Sequence, residues 1–154
     1  MSRSRREFLQ GLVNGALALA ASVGGLLPHL AIAAEERPAF TATKMAEALA
    51  ALGMSDPKAS DAIVFKAPDI AENGAAVPVE IESKLANTRA IAILVEKNPH
   101  MMSALFNFPD GSEPYVVTRV KVAESSVIHA VVKTDAGAFY TTRLVKVTLG
   151  GCGG

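Results

Sequence analysis

From Ile63 onward the chain runs in short apolar stretches separated by turn residues. Ile63-Val64-Phe65 is a brief apolar run ahead of Pro68. Val77, Val79 and Ile81 alternate with Pro78, Glu80 and Glu82, the period of a half-buried strand, and Pro78 puts its start at an edge. Ala90 to Glu96 is apolar on both faces, with Ile91, Ile93 and Val95 on one and Ala90, Ala92 and Leu94 on the other. Asn98-Pro99 breaks that strand, and Met101 to Phe108 follows with Leu105, Phe106 and Phe108 as apolar anchors. In Tyr115 to Val122, Val116, Val120 and Val122 share a face with Thr118, while Arg119 and Lys121 point the other way. Val127 to Lys133 is again double-sided, through Ile128, Ala130 and Val132. Ala138 to Leu149 is the last strand, with Val145, Val147 and Leu149 inward and Lys146 and Thr148 outward; the alternation slips at Thr141-Thr142, which predicts a bulge. Turns fall at Asn73-Gly74, Pro109-Asp110-Gly111-Ser112 and the hairpin Asp135-Ala136-Gly137.

Ahead of the strands, Glu35 to Thr41 reads as a loop around Pro38. Thr43 caps a short helix through Leu52, with Met45, Leu49 and Leu52 at helical spacing and Gly53 as its stop. Ser55 to Ser60 reads as a loop or a short helical turn, and Asp69 to Ala76 as a loop. About seven short strands with closely spaced turns predict a mainly β protein, an antiparallel immunoglobulin-like β-sandwich with a short N-terminal helix.

The N-terminus has a different pattern. Ser4-Arg5-Arg6-Glu7-Phe8-Leu9 carries a twin arginine, followed by an alanine- and glycine-rich apolar run from about Gly11 to Leu27. Pro28 breaks the run, and Ala31-Ile32-Ala33 places small residues at the −3 and −1 positions of a cleavage site. This is the pattern of a bacterial twin-arginine signal peptide over residues 1–33, directing the protein to the periplasm, with no membrane attachment once it is removed. The run is short and glycine-rich for an uncleaved anchor across a ~30 Å hydrocarbon core. Loss of Arg3, Arg5, Arg6 and Glu7 with the signal leaves 12 basic and 14 acidic residues of the original 15 and 15. No basic run appears, which argues against nucleic-acid binding.

Export sharpens the reading of the single cysteine. Cys152 lies between Gly150-Gly151 and Gly153-Gly154, directly after the last strand. An unpaired cysteine in an oxidising compartment either joins two chains in a disulfide-linked dimer or serves as a reactive thiol. Glycine on both sides favours a flexible arm over residues 150–154, reaching roughly 17 Å when extended at ~3.4 Å per residue. The neighbouring terminal carboxylate favours the neutral thiol, so activation is expected from a partner's active site. His100 and His129 have no acid or second ligand at motif spacing and read as structural; no nucleophile elbow, phosphate loop or metal motif is present, and no cofactor is implied. The residues alone leave two classes open. One is a covalent carrier on Cys152; the other is an exported structural or adhesion module cross-linked through Cys152.

Val145-Lys146-Val147-Thr148-Leu149-Gly150-Gly151-Cys152-Gly153-Gly154 resembles the terminus of the SoxY family, the sulfur-carrying subunits of periplasmic thiosulfate oxidation. The resemblance extends over Gly74-Ala75-Ala76-Val77-Pro78-Val79, Glu96-Lys97-Asn98-Pro99, Phe106, Thr118-Arg119-Val120-Lys121-Val122 and Asp135-Ala136-Gly137. Met101 departs from it, where a second proline is expected after Asn98-Pro99. The resemblance implies a substrate carrier, not a catalyst, with Cys152 as the covalent attachment point. It implies a heterodimer with SoxZ, loading by the c-type cytochrome SoxXA, release of sulfate by the hydrolase SoxB and oxidation of the remaining sulfur by the sulfane dehydrogenase SoxCD. The second faces of the double-sided strands, among them Ala92, Leu94, Ile128 and Ala130, are then expected to be covered by the partner, so that Leu94→Asp weakens assembly without unfolding the domain.

N-terminal sequencing of the exported protein is expected to begin at Ala34 or Glu35, and changing Arg5 and Arg6 together to lysine to leave the precursor in the cytoplasm. A mature chain beginning near Met1 contradicts the first expectation, and undiminished export of the double-lysine form contradicts the second.

Overall fold

The computed structural model describes residues 37–149; the proposed signal segment and the five residues after Leu149 lie outside them. Among the described residues two helices, α1 (Pro38–Thr41) and α2 (Met45–Ala51), precede nine strands. These are β1 (Lys58–Ala59), β2 (Ile63–Lys66), β3 (Ile70–Asn73), β4 (Val77–Ser83), β5 (Thr88–Val95), β6 (Met102–Asn107), β7 (Tyr115–Val120), β8 (Ser126–Thr134) and β9 (Gly137–Leu149). The larger sheet has the order β1-β9-β8-β5-β6, with β3 also on β9, and the smaller has the order β2-β4-β7. The expected two-sheet sandwich is present, antiparallel except where β1 and β3 each join β9 in parallel.

Alternation decides which side chains meet between the sheets. Ile91, Ile93 and Val95 of β5, Ile128, Ala130 and Val132 of β8, and Val145 of β9 face Val77, Val79 and Ile81 of β4 and Val116 and Val120 of β7, all of them buried. The opposite face of the larger sheet is covered by this chain itself. Ala90, Ala92, Leu94 and Val131 pack with Ala39, Ala48, Leu49 and Met54 from the helical segment. This corrects the expectation of a partner surface: Ala92, Leu94, Ile128 and Ala130 are all fully buried, two beneath the helices and two between the sheets. A chain with two apolar faces on its central strands needs two covers, and residues 37–54 supply the second.

Local chemistry corrects several other expectations. Pro38 opens a helical turn, α1, where a loop was expected, since its fixed φ suits the first helical position. The N-cap of α2 is Lys44, not Thr43, and makes no side-chain cap bond. The C-terminus follows the expectation: Gly53 has φ +63°, its N–H donates to Ala50 O at 3.0 Å, and the N–H of Met54 donates to Leu49 O at 2.8 Å, the paired bonds of a Schellman cap. Lys133 Nζ donates to Leu52 O at 3.0 Å and ties that cap to β8. The β8–β9 hairpin is in unbroken register from Thr134↔Gly137 to Ser126↔Val145, so no bulge occurs at Thr141-Thr142. Thr142 sits opposite His129 on the outer face, where a polar residue needs no correction of register. Register shifts fall instead on β5, between Ile93 and Leu94 against β6 and between Thr88 and Ala90 against β8.

Leu94→Asp is therefore expected to prevent folding, because it places an unpaired carboxylate among fully buried apolar groups. Leu94→Ala is expected to lower stability by about 2–5 kcal/mol. Urea denaturation followed by circular dichroism checks both; a natively folded Leu94→Asp protein contradicts the burial.

Candidate functional site

The described residues nearest Cys152 are those at the end of β9, and their backbone is held on both edges. On one side β3 pairs in parallel through Ile70↔Lys146, Ala71↔Val147 and Asn73↔Leu149. Lys146 N–H donates to Asp69 O at 2.9 Å, and Thr148 Oγ1 donates to Glu72 O at 3.0 Å. On the other side the β8 ladder stops at Ser126↔Val145, and the Ser125 hydroxyl continues it by accepting from Val147 N–H at 2.9 Å. The strand thus keeps partners as far as Leu149 on the β3 side and as far as Val147 on the other. The sequence marks this support poorly: Asp69 to Ala76 reads as a loop because Asn73-Gly74 dominates it, while β3 contributes mainly backbone groups.

Three loops surround this end, fixed to one another by short side chains. Asn98 bridges two of them: its Nδ2 donates to Lys121 O at 2.8 Å and its Oδ1 accepts from Ala123 N–H at 2.9 Å. The side-chain amide thereby substitutes for a strand backbone. Ser126 Oγ accepts from Lys97 N–H at 3.1 Å, and Val122 N–H donates to Gly74 O at 2.7 Å. Asn73 Oδ1 accepts from Ala75 N–H at 2.8 Å, which closes the Asn73-Gly74 turn. Gly74, Asn98, Lys121 and Val122 belong to the stretches that carry the sequence resemblance, and the fold gathers them beside the exit of β9.

The predicted site residues themselves, Cys152 with Gly150, Gly151, Gly153 and Gly154, lie outside the described residues. His100 is exposed on the loop after β5, whereas His129 Nε2 lies 2.7 Å from Glu96 Oε1, an acid 33 residues away in sequence that no local spacing reveals. Among the described residues no cluster of His, Cys, Asp and Glu could hold a metal, and no helix is long and apolar enough to cross a membrane.

Groups with shifted acidity lie away from the end of β9. Asp135, in the β8–β9 turn, accepts from Arg89 at 2.7 and 2.9 Å, and this hydrogen bonding, helped by the positive charge, holds its carboxyl below the usual range. The same contact raises Arg89, which also reaches Asp110. Lys66 is raised by its hydrogen bond to Glu80 on the outer face of the smaller sheet. A hollow of about 310 Å³, lined in part by Ser83, Thr88, Arg89, Asp110 and Ser112, lies at the opposite end of the sandwich from the end of β9. What the described residues offer a thiol at position 152 is a firm mount.

Comparison with known proteins gives this geometry a family. The model of the sulfur oxidation protein SoxY matches residues 48–152, ending on Cys152 itself. The solved structure of the sulfur carrier protein SoxY from Chlorobium limicola f thiosulfatophilum shares 36% identity, with a TM-score of 0.60, over 66% of this chain and 94% of that one. A variant form of the superoxide reductase (neelaredoxin) from Ignicoccus hospitalis aligns with a TM-score of 0.50 at 20% identity over 60% of this chain and 82% of that one, a likeness of fold alone. No curated protein matches. With the family model covering more than half of the chain and the two-sheet fold in agreement, this chain belongs to the SoxY family of sulfur oxidation proteins.

Proposed function

We propose that this protein is a periplasmic sulfur carrier that holds thiosulfate-derived groups covalently on Cys152 and presents them to separate enzymes. The observation that carries this reading is the family match running through to Cys152, on a chain whose last strand has partners on one edge as far as Leu149 and on the other as far as Val147. A carrier needs a fixed base and a mobile thiol, and the glycines at 150, 151, 153 and 154 suit the second requirement.

The chemistry sets what partners must supply. Joining the Cys152 thiolate to the outer sulfur of thiosulfate forms one S–S bond, Cys–S–S–SO₃⁻, and releases two electrons. An electron acceptor is therefore required, which is the place of the c-type cytochrome SoxXA. Hydrolysis of the sulfonate then adds water, releases sulfate and two protons, and leaves a cysteine persulfide; this needs no redox partner and suits the hydrolase SoxB. Oxidation of the remaining sulfane sulfur again needs an electron acceptor and falls to SoxCD. The domain's own part is to hold and deliver. It would work as a heterodimer with SoxZ, reaching the periplasm by the twin-arginine route.

Cys152→Ser is expected to abolish thiosulfate-dependent electron transfer in the reconstituted system while leaving the melting temperature within about 2 °C, since substitutions away from the core rarely change stability by more than ~0.5 kcal/mol. Retained turnover in the serine form contradicts the carrier reading. Replacing Gly150 and Gly151 with proline fixes φ near −65° at the base of the arm. Turnover with the partner enzymes is expected to fall while labelling of Cys152 by a small thiol reagent keeps its rate; normal turnover would show that the arm need not swing.

A further inference from the structure

The larger sheet ends on an unguarded strand. β6 pairs with β5 on one side and, among the described residues, with no strand on the other. Both of its faces are filled: Ala104 and Phe106 pack between the sheets, and Leu105 packs toward the helical segment. What remains is its backbone edge. Phe108 N–H donates to Arg89 O at 2.8 Å on the β5 side. Backbone groups alternate in direction along a strand, so those of Ala104 and Phe106 also point to β5, and those of Leu105 and Asn107 point away from it. Folded proteins guard such an edge with charges, brevity or distortion. Here β2 carries Lys66, and its Phe65 carbonyl accepts from Arg143; β7 carries exposed Arg119; β1 and β3 are two and four residues long. From Met101 to Phe108 no residue is charged, and the register shift against β5 falls before Ala104, which leaves Ala104 to Phe108 regular.

We propose that this edge pairs with the same edge of a second copy of the chain, β6 against β6, antiparallel about a two-fold axis at Phe106. An uncharged apolar edge calls for a lasting cover, not a passing encounter, and the sequence of this one meets its own needs. With the axis at Phe106, Leu105 of each copy stands opposite Asn107 of the other. Each such pair exchanges two N–H···O bonds, so every outward backbone group at 105 and 107 is satisfied in both copies. On the side facing the space between the sheets, Phe106 meets Phe106, and Ala104 meets Phe108 of the second copy, small against large. No charge opposes a like charge. The pairing also separates the thiols. β9 lies three strands in from β6, so seven strand spacings of ~4.8 Å, roughly 34 Å, lie between the two copies of β9. The two-fold axis also sends the two exits of β9 to opposite ends. Cys152 is three residues beyond Leu149, which carries its sulfur roughly 10 Å plus one side chain from the strand end. The two sulfurs of one dimer therefore cannot meet, and each copy keeps its own thiol. The inference goes beyond the carrier reading and does not rest on it.

The test is sedimentation velocity of the mature protein over a range of concentrations, in reductant, both alone and with its subunit partner bound. The account predicts two copies of this chain per particle in each case, in the Cys152→Ser form as well. Asn107→Pro removes an outward N–H that β5 does not use, a substitution an edge strand tolerates, and is expected to weaken self-association about tenfold or more with the circular dichroism spectrum unchanged. Asn107→Lys, which places a charge on the edge without touching the backbone, is expected to act in the same direction, and Val117→Lys on the β7 edge to have no effect. Amide exchange at Leu105 and Asn107 is expected to slow as concentration rises. A single copy at every concentration overturns the proposal, as does a dimer that withstands both Asn107 variants or that reductant dissolves. Loss of the subunit partner from the Asn107 variants overturns it too, by giving the edge to a different chain.

Discussion

The pairing of β9 on both edges is the constraint on which the rest depends. A strand at the margin of a sheet leaves one row of backbone groups unpaired and frays readily at its end. Here β8 pairs one edge and β1 and β3 pair the two ends of the other. Between them, Arg143 Nε donates to Phe65 O at 2.9 Å and links the strand to the smaller sheet. Two short parallel strands thus carry paired backbone as far as Leu149. A load applied through position 152 would run along β9 and be spread over many ladder bonds, not taken by a terminal pair.

That arrangement depends in turn on how the double-sided strands are covered. β5 and β8 are buried from above by the smaller sheet and from below by the helical segment, so the centre of the larger sheet is complete within one chain. The helical segment is too short to reach the far corner of the face, and what stays open lies beside the strand that leads to Cys152.

The sequence made the sandwich legible because period-two alternation is strong in Val77–Ile81 and double-sided burial is plain in Ala90–Val95. Gly53 and Asp135-Ala136-Gly137 were equally plain, since their backbone geometry restricts which residues fit. β1 and β3 were hidden: two- and four-residue strands that join a neighbour in parallel leave no periodic signature. Which sheet face α2 would cover was hidden too, because an amphipathic segment does not declare it, and Leu94 therefore looked available to a partner. Around the candidate site, Cys152 and its glycines stood out by composition, whereas Asn98, Ser125 and Ser126 act through bonds to backbone groups distant in sequence. The pairing of His129 with Glu96 was invisible for the same reason.

The central claim is that Cys152 carries sulfur. Intact-mass measurement of the protein isolated from cells growing on thiosulfate, before and after reduction, tests it most directly. The account predicts added mass corresponding to thiosulfate or sulfane sulfur, confined on peptide mapping to the segment containing Cys152 and removed by reductant. A protein found only as the unmodified thiol, or only as a disulfide between two copies of the chain, would contradict it.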